Sequence, residues 1–183
     1  MAREEFERFK KENPGSLTDI QRAVRFYYLL KLGYVARINQ PSFSVATTSR
    51  PRLNLLRIEE ELSAVHLRLS QVYIESRDFS KFIPQFDKPD TFFYIDPPYY
   101  GCEDYYGKNI FRREDFIVLR DLLQTISGRF IVSINDIPEI RELFSNFVIK
   151  TADTSYSAGG ANRKKHVTEL LIMNYEPKAR MVS

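Results

Sequence analysis

The chain has 183 residues, 43% of them hydrophobic, enough for one sizeable core and one globular domain with at most a small subdomain. Its formal charge of +3 is too weak to announce a nucleic-acid partner; one cysteine excludes a disulfide framework, and no Cys/His cluster suggests zinc or another metal. No apolar run reaches membrane-spanning length and the charged start is not a signal peptide, so the chain reads as soluble and cytoplasmic.

Ala2 to Glu12 reads as a short charged helix, stopped by Pro14-Gly15. Thr18 and Gln21 form a capping box that opens a helix towards Gly33 as its C′ residue. From Tyr34 to Pro51 the periodicity disappears, which predicts a long loop or small hairpin carrying Arg37 and Arg50. Leu53 to Leu69 returns to helical spacing, with His66 in a structural position. Val72 to Glu75 is a candidate strand, followed by Arg77-Asp78-Phe79 and a helical turn ending near Pro84.

Phe92 to Ile95 reads as a central strand buried on both faces of a parallel sheet. A polar, aromatic loop follows from Gly101 to Phe111, then a helix from about Glu114 to Ser127 with Gly128 as its stop. Phe130 to Ile134 is the next strand, and Asn135-Asp136 with Pro138 starts a helix to about Phe144. Phe147 to Thr151 and Val167 to Asn174 are the last strands, joined by the loop Ser155 to His166. The β-α-β-α-β order predicts a parallel sheet closed by an antiparallel hairpin.

The chain is organised around Asp96-Pro97-Pro98-Tyr99-Tyr100, directly after the aromatic strand. The prolines have no N–H to donate and end the ladder, leaving a carboxylate, a stiff turn and an aromatic ring at a strand's carboxyl end, where α/β sheets bind ligands. An exocyclic amine on a nucleobase is a poor nucleophile because its lone pair is delocalised. Asp96 and the Pro97 carbonyl are spaced to accept both amine hydrogens and to stabilise positive charge on the nitrogen. Tyr99 is suited to stacking on the base, and Tyr100, Tyr105 and Tyr106 either line a base pocket or pack the loop. Cys102 follows glycine rather than the proline that cytosine-C5 chemistry requires before its nucleophile.

These residues carry a resemblance. Asp96-Pro97-Pro98-Tyr99 resembles the catalytic motif of S-adenosylmethionine-dependent amino-methyltransferases, and the wider pattern is similar to the Dam-type (DPPY-motif) DNA adenine-N6 methyltransferases. Arg77-Asp78-Phe79, the strand end Ile131 to Asn135 and the closing run Glu169 to Tyr175 support it, over most of residues 18–175. The resemblance implies a Rossmann-like α/β methyltransferase sheet with a small helical DNA-contacting subdomain. It also implies methyl transfer from S-adenosyl-L-methionine to the N6 amino group of adenine in double-stranded DNA, with the target base flipped into the site. By resemblance, Asp96, Pro97, Pro98 and Tyr99 are catalytic, and Asp78, Phe79 and Asp96 contact the cofactor. Tyr99, Tyr100, Arg37, Asn39, Arg163, Lys164 and Lys165 touch nucleic acid.

One departure shapes the expectation. The family places Phe-x-Gly-x-Gly before its DNA-contacting region, and no two of the seven glycines here form Gly-x-Gly. The sequence therefore resembles the C-terminal part of such an enzyme, incomplete at its N-terminus: residues 1–70 helical and DNA-contacting, 71–176 catalytic, 177–183 a tail. Two alternatives stand beside the intact enzyme. One is an inactive remnant that binds nucleic acid or another protein; the other is half of a split enzyme whose partner chain supplies the cofactor-binding half.

Overall fold

In the computed structural model, residues 2–34, 41–44, 52–103, 110–157 and 164–177 are described, with backbone alone at 155–157 and 164–166. The chain divides into two units, residues 1–75 and 76–183. No helix among the described residues is long and apolar enough to cross a membrane.

The first unit is helical. Helix α1 (Ala2–Lys11) and helix α2 (Asp19–Leu32) are separated by a 3-10 turn at Pro14–Ser16. Thr18 caps α2 through the expected box: its hydroxyl accepts from the Gln21 N–H, and the Gln21 side chain accepts from the Thr18 N–H. Gly33 ends α2 in an extended conformation (φ −76°) rather than a left-handed one. Glycine is needed there for space, since a Cβ would lie 2.6 Å from the Leu29 carbonyl oxygen. Phe6 and Leu29 are buried, and Phe6 meets Phe43 edge-on at 5.4 Å. Helix α3 (Ile58–Leu69) buries no residue fully; an apolar cleft of about 310 Å³ lies between Val24 and Tyr27 of α2 and Leu53, Ile58 and Leu62.

The second unit is a mixed α/β fold around one four-stranded sheet. Helix α4 (Phe79–Phe86) precedes strand β1 (Phe92–Ile95); helix α5 (Asp115–Leu123) leads to strand β2 (Arg129–Asn135). Helix α6 (Pro138–Leu143) leads to the hairpin of β3 (Val148–Ser157) and β4 (Lys164–Met173). The strand order is β1-β2-β4-β3. β1 and β2 run parallel with Phe93 beside Phe130, and β4 lies antiparallel to both β2 and β3, so the expected closing hairpin is present. Phe93, Phe130, Val132, Ile134, Leu170 and Ile172 join Ile83 of α4, Phe116, Leu119 and Leu123 of α5 and Ile140 of α6 in one core.

Gly128 fits β2 to its neighbours at the start of the sheet. A Cβ there would lie 2.9 Å from the Thr91 carbonyl oxygen and 3.0 Å from that of Lys88, and backbone cannot give way as a flexible side chain can.

Several expectations change. Residues 72–75 enter no ladder among the described residues, and Tyr73 and Ile74 are 97% and 77% exposed. An apolar run becomes a strand only where a neighbour takes its N–H and C=O groups. The expected parallel sheet is mixed, with β1–β2 its parallel pair. β1 is an end strand, not a central one, so its burial alternates: Phe93 is buried while Phe92 and Tyr94 are 54% and 64% exposed. Burial on both faces belongs instead to β2, which has a neighbour on each side and buries Val132, Ser133 and Ile134 in succession. The hairpin ladder runs through Ser157 and Lys164, taking up both ends of the expected loop. α6 lacks the side-chain cap expected from Asn135-Asp136: Asp136 pairs with Arg141 at 2.6 and 2.7 Å, and Asn135 is engaged elsewhere.

Candidate active site

The pleat decides which side chains meet at the end of β1. Successive residues of a strand point to opposite faces, so Phe92, Tyr94 and, beyond the strand, Asp96 share one face. The parallel register sets Tyr94 beside Ile131, and continuing at that offset brings Asp96 to Ser133. Across β2, the antiparallel register sets Leu171 against Ser133 and Glu169 against Asn135. The face opposite the core thus collects Asp96, Ser133, Asn135 and Glu169.

The bonds follow that arrangement. The Ser133 hydroxyl donates to Asp96 Oδ1 at 3.2 Å, and the Tyr94 hydroxyl lies 2.9 Å from Ser133 Oγ. Asn135 holds Tyr100 through both backbone groups: it accepts from the Tyr100 N–H at 2.9 Å, and its Nδ2 donates to the Tyr100 carbonyl at 3.2 Å. The Tyr99 hydroxyl donates to Glu169. The Cys102 N–H then closes a turn onto the Tyr99 carbonyl at 2.8 Å, with Gly101 at φ +87°, a conformation open to glycine. The loop is tied to β2 and β4 at three successive points, while the Asp96 carboxylate stays exposed.

Behind the loop, the Tyr100 ring packs on Phe116 with centroids 5.4 Å apart, and the Arg113 guanidinium lies 4.6 Å from the Tyr100 centroid. Arg113 also approaches Glu103 at 3.8 Å. Burial pushes the Glu103 carboxyl up, but bonds from the Gly101 N–H and its own N–H, with the charge of Arg113, outweigh it and hold Glu103 below its ordinary value.

Asp78 caps α4. One carboxylate oxygen accepts from both the Ser80 N–H at 2.9 Å and the Ser80 hydroxyl at 2.5 Å, which holds Asp78 below its usual range. Its neighbour Phe79 is half-buried against Phe111 at 5.8 Å, and Phe111 meets Phe116 at 4.8 Å, so three ring contacts run from Phe79 to Tyr100. No hydrogen bond among the described residues links Asp78 to Asp96 directly. An exposed carboxylate beside a half-buried ring is a donor set that fits the adenine end of a nucleoside cofactor, the carboxylate accepting from an amine and the ring offering a face.

Of the other sequence-derived candidates, Arg37, Asn39 and Arg163 lie outside the described residues, as do Arg50, Tyr105 and Tyr106. Lys164 and Lys165 belong to β4, opposite Ser157 and Tyr156, rather than to a loop. Ser133, Asn135 and Glu169 went unnoticed as site residues although their signal is present. Ser133 and Asn135 are polar residues two apart in an apolar strand, hence on one face, and Glu169 opens the apolar run Leu170 to Met173.

A mixed α/β unit whose four-stranded sheet carries an acidic, proline-stiffened, aromatic loop at a strand end is consistent with a methyltransferase fold. The family model described as D12 class N6 adenine-specific DNA methyltransferase matches residues 1–158, and the chain belongs to that family. It is also similar to a type II methyltransferase, M.CviBI, of Paramecium bursaria Chlorella virus NC1A, with 22% identity over 167 residues. That alignment covers 88% of this chain and 64% of the viral protein, so the chain spans less than two thirds of that relative's length.

Proposed function

We propose that this chain transfers a methyl group from S-adenosyl-L-methionine to the N6 amino group of adenine in double-stranded DNA. The observation that carries the reading is the Asp96 carboxylate, exposed at the end of β1, with one oxygen held by Ser133 and its loop fixed by Asn135. In this reading the sheet is the Rossmann-like methyltransferase core and residues 1–70 are the helical DNA-contacting part.

The chemistry assigned to the chain is orientation and charge. A flipped adenine offers two N–H hydrogens; Asp96 accepts one and the Pro97 carbonyl the other, which turns the nitrogen lone pair towards its electrophile. The same two acceptors stabilise the positive charge that grows on nitrogen as the N–C bond forms and the methyl–sulfur bond breaks, without waiting for water to reorganise, and the nitrogen then sheds one of its two protons. Tyr99, anchored by its hydroxyl to Glu169, offers its ring face to the base, and a stack worth about 1–3 kcal/mol offsets part of the cost of extrusion. Asp78 and Phe79 would hold the adenine end of the cofactor, which supplies an electrophilic methyl sulfonium.

The test is transfer of labelled methyl groups from S-adenosylmethionine to unmethylated duplex DNA, followed by nucleoside analysis. Label on N6-methyladenine, abolished by Asp96→Ala with the fold intact, is the expected result. Label on cytosine, or full activity in that variant, rejects the mechanism.

Among the described residues nothing pairs with the outer edge of β1, which favours a second reading, in which further polypeptide pairs there and completes the cofactor site. A separate chain, as in a split enzyme, is one source. Calorimetric titration of this chain with S-adenosylmethionine separates the two: saturable one-to-one binding rejects the second reading, and absence of binding supports it.

A further inference from the structure

Ser133 is a buried polar side chain, 4% exposed, on the face of β2 opposite the core, between Val132 and Ile134, which are fully buried. A hydroxyl in such a place costs free energy unless it is bonded, and this one has two contacts, with Asp96 and with Tyr94. Donor arithmetic fixes their direction. A serine hydroxyl has one hydrogen, and a carboxylate accepts only. Both contacts are satisfied together only if Tyr94 donates to Ser133 and Ser133 donates to Asp96. The result is a short relay, Tyr94 Oη–H to Ser133 Oγ–H to Asp96 Oδ1, in which each bond polarises the next towards the carboxylate.

We propose that Ser133 is a positioning residue for Asp96, with Tyr94 as its support: it engages one carboxylate oxygen so that the other is presented to the target amine. This rests on the reading of Asp96 as acceptor of the adenine amino group, and it adds a requirement. Packing constrains the rotamer of an exposed aspartate little; a bond from a buried donor fixes it. Ser133 suits the task because β2 has neighbours on both sides, which hold its backbone in place.

The experiment follows the Asp96 side-chain carboxyl by carbon-13 NMR in the whole chain, in parallel with methyl transfer. In Ser133→Ala the Asp96 carboxyl resonance should move and broaden; Ser133→Thr, which keeps the hydroxyl, should restore it. Ser133→Cys, close in volume but a weak donor, should follow the alanine variant and decides the matter should alanine fail to fold. In turnover, Ser133→Ala and Ser133→Cys should lose about tenfold to hundredfold in kcat, the span expected for one lost bond to a charged group, with KM for S-adenosylmethionine unchanged. An Asp96 resonance unmoved in a folded Ser133→Ala or Ser133→Cys variant overturns the proposal. So does equal loss of kcat in the threonine variant. If the unmodified chain transfers no methyl group, the functional reading of the previous section fails, and the carboxyl resonance still decides whether Ser133 holds Asp96.

Discussion

The two faces of the sheet are built from the same three strands and do opposite things. One face presents Phe93, Ile95, Phe130, Val132, Ile134, Leu170 and Ile172, all in or packed against a single core. The other presents Phe92, Tyr94, Ile131 and Leu171, none of them fully buried, beside a buried Met173, and ends in Asp96, Asn135, Glu169 and the buried Ser133. What separates the faces is one residue of register. A strand with a two-residue period can carry an apolar side that fixes the backbone and a polar side that the fixed backbone then aims. Substitutions on the apolar face should therefore act mainly on stability, and those on the polar face should reach the site as well.

The largest expected effect on stability lies on the closed face. Phe130→Ala removes a fully buried ring that meets Phe147 edge-on at 5.2 Å, and should cost about 3–5 kcal/mol in denaturant unfolding. Phe92→Ala, on the strand beside it but facing outwards, should cost less than about 1 kcal/mol. Comparable losses from both would mean that the outward face is covered in solution, and the contrast between the faces would fall.

Next in size is the join between β2 and the loop. Asn135→Ala leaves the Tyr100 N–H and carbonyl without their partner and should cost about 1–3 kcal/mol. The proposed methyl transfer should fall as well, since the segment that carries Tyr99 is released at its next residue. Asn135→Asp distinguishes the two bonds, because it keeps the acceptor for the Tyr100 N–H and loses the donor to the carbonyl. Unchanged stability in both variants would show that the turn at Gly101 and the Tyr99–Glu169 bond hold the loop without Asn135.

How much of this was legible in the sequence depends on whether the cause was local. The Thr18 capping box, the strand before Asp96 and the start of the helix near Glu114 were readable because each is set by neighbours along the chain, although that helix ends at Leu123 and not at Gly128. The position of β1 at the end of the sheet was not. Phe92 to Ile95 is apolar throughout, and a run of four such residues reads the same whether one face or both are covered. Val72 to Glu75 failed for the related reason that propensity names a candidate strand but cannot supply its partner. At the site, the motif was legible, whereas its supports were not, because Ser133, Asn135 and Glu169 lie 37, 35 and 70 residues from the groups they hold. Only the register of β1 on β2, and of β4 on β2, converts those separations into contacts.

The smallest effect concerns the opposite end of the same strands. Asp87, just after α4, accepts from the Ser127 N–H at 3.0 and 2.8 Å and from the Gly128 N–H at 2.8 Å, where β2 begins. The backbone bonds from Ser127 and Gly128 hold its carboxyl below the ordinary aspartate value. A depressed carboxylate stabilises the fold above its unfolded pKa, about 3.9, and that contribution is lost as pH falls through the lower, folded value. Stability should therefore decline on acidification below about pH 4, and Asp87→Asn should remove part of the decline. The remainder belongs to other depressed carboxyls, including Asp78 with Ser80 and Asp136 with Arg141. Thermal unfolding between neutral pH and about pH 3 checks it. The two curves should converge as Asp87 protonates in the unmodified chain, because its advantage over asparagine exists only while it is charged. Parallel curves would mean that Asp87 binds those N–H groups equally well without its charge, and the sheet's two ends would then differ less than their bonding suggests.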